Sequence, residues 1–232
     1  MYPSTEGKMK KLLRIVLVAL CALSVFAAGK LKVDNERCFV IDDYWKYGYL
    51  FMRVVNAGDK PIGIDDCIFQ LYDKDGNCLV EEDFPNTYND YLNPGEYTYV
   101  RMSAELEDDM KVDNYKYQLT DSTDFSYDVS YFPRKAWFAL DVDDGWLQTD
   151  YMYAEVQNNT NELAYNIAVV FALTDKSGRL LYIDSQDIYE CALTPGSSMV
   201  FRCEIPSAFM DYFETKGWEP ANIDAIAYVL NY

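Results

Sequence analysis

Histidine is missing from all 232 residues. That absence removes histidine-based catalytic triads, histidine-ligated metal sites and the commonest general base near neutral pH. Basic residues are scarce as well: 20 Lys and Arg against 38 Asp and Glu give a formal charge of −18. So acidic a surface disfavours nucleic acid and anionic lipid as general partners. No Gly-rich phosphate loop occurs, and no two cysteines have the CxxC spacing of zinc ribbons or thiol oxidoreductases. Nothing in the pattern asks for a cofactor. No apolar run reaches the roughly 20 residues that a membrane-spanning helix needs.

Apolar and aromatic side chains are abundant instead. Half the residues are apolar, and 21 Tyr, 12 Phe and four Trp supply ample material for packed cores. Near the start, Lys8, Lys10, Lys11 and Arg14 precede an apolar stretch, residues 15–28, broken only by small residues and Ser24. With the small-residue exit Val25-Phe26-Ala27, this is the pattern of a secretory signal. The expected division is a signal peptide at 1–27 and an exported mature chain, secreted or held in the cell envelope. Two alternatives would keep the chain on a membrane: an uncleaved signal segment, or a lipid on Cys21. Val18-Ala19-Leu20-Cys21 resembles a lipobox, but bulky Leu20 stands where a small residue is usual.

Shifting the chain by 102 positions aligns residues 49–79 with 151–181 without a gap. Tyr49/Tyr151, Val54/Val156, Asn56/Asn158, Phe69/Phe171, Leu71/Leu173, Asp73/Asp175, Lys74/Lys176, Gly76/Gly178 and Leu79/Leu181 match. After a one-residue deletion Leu92, Pro94, Gly95 and Arg101 meet Leu193, Pro195, Gly196 and Arg202. So long a period is the size of a whole sandwich domain, not of a solenoid unit. Two tandem modules follow, at 31–133 and 134–232, joined without a flexible linker.

Each module reads as strands. Tyr49–Val55 and Tyr151–Val156 are β-rich runs that end at Asn56 and Asn158. Asp73-Lys74-Asp75-Gly76 and Asp175-Lys176-Ser177-Gly178 are hairpin turns, each followed by a short strand. Leu92-Asn93-Pro94-Gly95 and Leu193-Thr194-Pro195-Gly196 are Pro-Gly turns leading into the alternating strands Tyr97–Met102 and Met199–Cys203. A helical turn is expected at Ala104–Met110 and at Ser207–Lys216, the latter between Pro206 and Gly217. Opening strands are expected at Cys38–Ile41 and Trp137–Leu140, closing strands at Tyr115–Leu119 and Ile223–Leu230.

Phe69-Gln70-Leu71-Tyr72-Asp73, with Val54-Val55-Asn56 before it and Asp75-Gly76 and Leu92-Asn93-Pro94-Gly95 after it, resembles the FxLYD domain family of exported bacterial and archaeal proteins. The second copy, Phe171-Ala172-Leu173-Thr174-Asp175, lacks the tyrosine. The resemblance spans about residues 49–102 and 151–203. It implies an all-β fold of two immunoglobulin-like or fibronectin-like sandwiches, with no catalytic or ligand residues to carry over.

Candidate chemistry is confined to carboxylates, cysteines and aromatics. Asp141, Asp143 and Asp144 offer hard oxygen ligands for calcium, or form a solvated acidic loop. The Asp73 turn resembles the start of an EF-hand, yet Cys78 and Phe84 occupy its glycine and glutamate positions. Cys191 and Cys203 flank the second Pro-Gly turn and are the leading disulfide pair after export. Against pairing, Cys67, Cys78 and Cys203 align with Val169, Leu180 and Met102, as small buried apolar residues would. Asn158-Asn159-Thr160 matches a glycosylation acceptor within a shared turn. Tyr44, Trp45, Tyr47 and Trp146 are the candidate binding aromatics; half-buried strand positions are the plainer account of them.

The expected function is therefore non-catalytic: an exported binding or spacer protein that meets a protein or a glycan, the binding surface lying chiefly in the first copy. The alternatives are a small exported hydrolase using two carboxylates and a structural envelope subunit.

Overall fold

A computed structural model describes residues 29–87, 91–123, 128–143 and 148–231. Residues 1–27 with Cys21, and also Asp144 and Trp146, lie outside the described residues. No helix among the described residues is long and apolar enough to cross a membrane.

The fold is an all-β sandwich architecture, with one helix among the described residues. In chain order the strands are β1 (Leu31–Asp42), β2 (Lys46–Asn56), β3 (Ile62–Tyr72), β4 (Cys78–Glu82), β5 (Asn86–Thr87), β6 (Tyr91–Leu92), β7 (Tyr97–Leu106) and β8 (Asn114–Ser122). Then follow β9 (Asp128–Phe132), β10 (Arg134–Asp143), β11 (Gln148–Gln157), β12 (Ala164–Asp175), β13 (Leu180–Leu193) and β14 (Ser198–Ile205). Helix α1 (Ser207–Lys216) and β15 (Pro220–Asn231) complete the chain. All pairings are antiparallel. The first repeat builds the sheet β1-β2-β7-β5 and a second sheet in which β3 pairs with β4, β6 and β8. The second repeat builds β10-β11-β14 and β13-β12-β15-β9. The order β1-β2-β7 thus recurs as β10-β11-β14, and β4-β3-β8 as β13-β12-β15.

Alternation explains the pairing of sheets into cores. Leu50, Met52 and Val54 on β2, Phe69 and Leu71 on β3, and Val100 and Met102 on β7 are fully buried in one cluster. Burying each such side chain is worth about 1.5–3 kcal/mol, so the Phe69-x-Leu71 part of the motif is core.

Shared residues do the same work in both copies. Asn56 and Asn158 are fully buried. The Asn56 amide donates to Lys60 O (2.7 Å) and Leu92 O (3.0 Å), and its Oδ1 accepts from Gly58 N (2.9 Å). Asn158 donates to Glu162 O (2.8 Å) and Leu193 O (2.7 Å) and accepts from Thr160 N (2.9 Å). Each asparagine thereby ties a strand end to the Pro-Gly turn, whose Gly95 and Gly196 take φ of 81° and 77° and donate back to the asparagine carbonyl. The glycosylation-acceptor match at Asn158 is therefore a buried structural amide. Asp73 and Asp175 cap their turns alike, accepting from the backbone N–H groups two and four residues on.

Several sequence expectations change. Ala104–Leu106 continues β7, because Ala104 and Leu106 are buried either side of exposed Glu105; the helical turn expected at Ala104–Met110 is strand followed by a tight turn. The helix at 207–216 does form: Pro206 is its N-cap, and Gly217 closes it in the left-handed conformation, with Trp218 N bonding Phe213 O at 2.8 Å. The short strand after the hairpin is short only in the first copy. There the chain leaves β4, crosses to β7 as β5 and returns to β3 as β6; in the second copy β13 continues along β12. Finally β9, on the first-repeat side of the division at 133/134, pairs with β15 of the second.

The repeats are packed tightly together. The face of β1-β2-β7 turned away from its own core is buried against β13, α1 and Trp218. Phe39, Phe51 and Tyr99 thereby join the core of the second repeat. The Phe209 ring lies 4.8 Å from Tyr49 and 4.6 Å from Tyr182, and Tyr212 stacks on Phe39 at 5.3 Å. Charges frame the aromatics. Arg37 lies 4.0 Å over the Trp218 ring and pairs with Asp175 at 3.3 Å; Arg101 pairs with Asp184 at 3.1 Å. Tyr97 and Tyr99 both donate to Asp224 Oδ2, at 2.6 and 2.9 Å, while Arg134 meets its Oδ1 at 2.9 Å.

Candidate binding surfaces

The β1–β2 hairpin puts two of the predicted aromatics in solvent. Tyr44 is 84% exposed and Trp45 62%, their rings edge-to-face at 5.2 Å. The base of this tip is clamped: Lys46 Nζ donates to Met110 O (2.8 Å) and Asp108 O (3.1 Å) and lies 3.5 Å from Asp42. The two rings thus project from a turn whose base Lys46 ties to the 106–110 segment. Around them Asp42, Asp43, Glu105, Glu107, Asp108 and Asp109 are all exposed, so the tip repels anions and suits a neutral or basic surface.

Tyr47 does not join them. It is half-buried, its hydroxyl donates to Glu105 at 3.4 Å, and its ring leans on Tyr49 at the start of the aromatic ladder that enters the repeat junction. The corresponding hairpin of the second copy, with Trp146, lies outside the described residues.

For the calcium candidates, Asp141 and Asp143 sit at the exposed end of β10 and Asp144 lies outside the described residues. Asp141 has φ of 54°, and its N–H is held by Asp150 Oδ1 at 2.8 Å. No group of three metal-ligating side chains gathers among the described residues. For the disulfide candidates, Cys203 is a free, buried thiol and Cys191 is on β13 with its side chain outside the described atoms. Burial pushes the thiols of Cys38, Cys67 and Cys203 up to about 12, so they are poor nucleophiles.

Two further surfaces escaped sequence inspection. A cavity of about 330 Å³ beside the junction is lined by Asp175, Lys176, Ser177, Arg179, Gly217, Trp218 and Glu219. Both of its acids are engaged. Burial opposes ionisation of Asp175, but the Ser177 hydroxyl and the Arg179 and Ser177 backbone amides outweigh it and hold the carboxyl below the usual range. Glu219 is likewise lowered by its hydrogen bond from Lys176. The second surface is the outer face of β10-β11-β14, where Trp137 stacks on Tyr153 at 5.4 Å and Arg202 lies 4.5 Å over Tyr151. The signal for it was present in the sequence: Tyr49/Phe51 and Tyr151/Tyr153 alternate with the core positions, which marks an aromatic outer face in both copies.

No protein-family model and no curated protein matches this chain. The FxLYD resemblance rests on its motif residues alone.

Proposed function

We propose that the chain is an exported, non-catalytic binding module, two immunoglobulin-like sandwiches locked together so that the Tyr44–Trp45 hairpin is presented on a rigid stem to a protein or glycan. The observation that carries this reading is the pair of large adjacent aromatics, mostly exposed, on a clamped turn. Exposed rings cost free energy in water and are the residues most often responsible for binding energy at interfaces. The signal-like pattern of residues 1–27 supports export, and the acidic surroundings favour a neutral or basic partner over an anionic one. The hydrolase alternative has less support. A glycosidase acid must stay protonated near neutral pH, whereas the two acids of the 330 Å³ cavity are both held below their ordinary range.

The test is a glycan-array and immobilised-protein screen of the wild-type chain beside Tyr44→Ala/Trp45→Ala. Losing a binding hot spot of about 2 kcal/mol weakens affinity roughly thirtyfold, with the melting temperature unchanged. Undiminished binding by the double variant would count against the hairpin as the site.

A further inference from the structure

The two repeats carry one sheet face twice, in different surroundings. In register, Arg37–Phe51–Arg101 across β1-β2-β7 corresponds to Trp137–Tyr153–Arg202 across β10-β11-β14. Likewise Asn35–Arg53–Tyr99 corresponds to Lys135–Glu155–Val200, and Phe39–Tyr49–Ser103 to Ala139–Tyr151–Glu204. In the first repeat this face is an interface, buried against the second repeat. In the second repeat much of it is turned to solvent: Val200 is 54% exposed and Trp137 36%, Lys135, Glu155, Arg202 and Glu204 are exposed, Tyr153 is half-buried, and Tyr151 is buried beneath Arg202.

We propose that the outer face of β10-β11-β14 is a self-association surface, on which two copies of this chain meet about a two-fold axis. Three observations support a second copy as the occupant. First, the face is built from Trp, Tyr and Arg, the residues that dominate interface hot spots, and its counterpart in the same chain is already an interface. Secondly, Arg101 finds Asp184 across the repeat junction at 3.1 Å, whereas Arg202 at the equivalent position has no ion pair among the described residues. Thirdly, the patch is electrically self-complementary. Lys135 and Arg202 balance Glu155 and Glu204, with Lys135 directly beside Glu155, on a chain whose formal charge is −18. An isologous contact sets a patch against itself, so a patch carrying both signs can pair each with its opposite while the rest of an acidic chain repels.

Three strands about 4.8 Å apart and ~27 Å long span on the order of 400 Å². That is below the roughly 800 Å² per partner of a standard stable interface, so the expected dimer is a weak one, dissociating in the micromolar range.

Sedimentation velocity of the purified chain from about 1 to 500 µM tests this range. The wild-type sedimentation coefficient should rise with concentration. Trp137→Ala and Arg202→Glu should each weaken association at least tenfold, and Tyr44→Ala/Trp45→Ala should leave it unchanged. Val200→Glu, at an exposed position, repeats the test should Trp137→Ala lower the melting temperature. The proposal is overturned by a monomer at every concentration, by association that survives the face variants, or by association lost only in the hairpin variant. A chain that stays monomeric yet uses this face to bind another protein overturns it equally. Because the hairpin variant reads out the binding proposal separately, either reading can fail alone.

Discussion

The first and second repeats are built on the same plan and differ where they touch one another. Asn56 and Asn158, Asp73 and Asp175, and the two Pro-Gly turns do equivalent work within each repeat. The differences gather at the junction. In the first repeat the chain after β4 crosses between sheets and residues 107–113 form a tight connection; in the second β13 stays on β12, with irregular register near its two ends, and α1 fills the corresponding connection. Long β13 and α1 supply Tyr182 and Phe209, the residues that receive the outer face of β1-β2-β7. Divergence of the second copy has thus made it a receptor for the first, and among the described residues most of its own outer sheet face is left uncovered.

The sharpest way to break this asymmetry is Phe209→Ala. That ring lies against Phe39, Tyr49, Phe51 and Tyr182, and its truncation should cost about 3–5 kcal/mol. Chemical denaturation should show the loss together with a broadened or split transition. A cost under ~1 kcal/mol would mean that the junction is not held by this contact.

The symmetric part of the comparison is tested by Asn56→Ala and Asn158→Ala. Each removes two buried donors and leaves two carbonyls short of a partner, so about 2–3 kcal/mol is expected from either. Similar values by urea titration would support equivalence of the two turns; a difference greater than the expected cost itself would not.

A subtler contrast lies in the turn aspartates. Asp175 is buried and paired with Arg37, while Asp73 is half-exposed and has no such partner among the described residues. The folded pKa of Asp175 is depressed, so its stabilisation is present above its unfolded pKa of about 3.9 and is lost as pH falls from there toward the folded value. Asp175→Asn should therefore lower stability at pH 7 by about 1–2 kcal/mol, and should flatten the acid side of the stability profile below pH ~4. Asp73→Asn should do less at both pH values. An acid limb equally steep in wild type and Asp175→Asn would exclude this carboxylate as the source.

The smallest effect concerns thiols. Cys78 is exposed, whereas Cys67 and Cys203 are buried and Cys38 is mostly so. At pH 8 a thiol reagent should modify Cys78 before Cys38, Cys67 and Cys203, with little change in stability. Rapid modification of Cys203 in the folded protein would show that the second core is open.

Local chemistry made the strands and turns legible in the sequence. Alternation placed Phe69 and Leu71 inward, and Asp-x-x-Gly and Pro-Gly fixed the turns with little help from distant residues. Long-range geometry was not legible. Ala104–Leu106 is equally compatible with a helix end until β2 is seen beside it, and nothing in Asn86-Thr87 announces a crossing to β7. Of the candidate aromatics, Tyr44, Trp45 and Tyr47 stood out together because they cluster along the chain. Tyr47 differs from them only through Tyr49 and Glu105, which lie on packed strands. Trp137 was read as a strand position, since its stacking partner Tyr153 is brought close only by β10–β11 pairing. Arg37 gave no signal at all, because its partners Asp175 and Trp218 belong to the other repeat.

Burial of one face of β1-β2-β7 against β13 and α1 makes the two repeats a single cooperative body, and scanning calorimetry measures that most directly. The expected result is one transition in which the calorimetric and van't Hoff enthalpies agree. Two resolved transitions, each carrying roughly half of the enthalpy and each insensitive to Phe209→Ala, would contradict it.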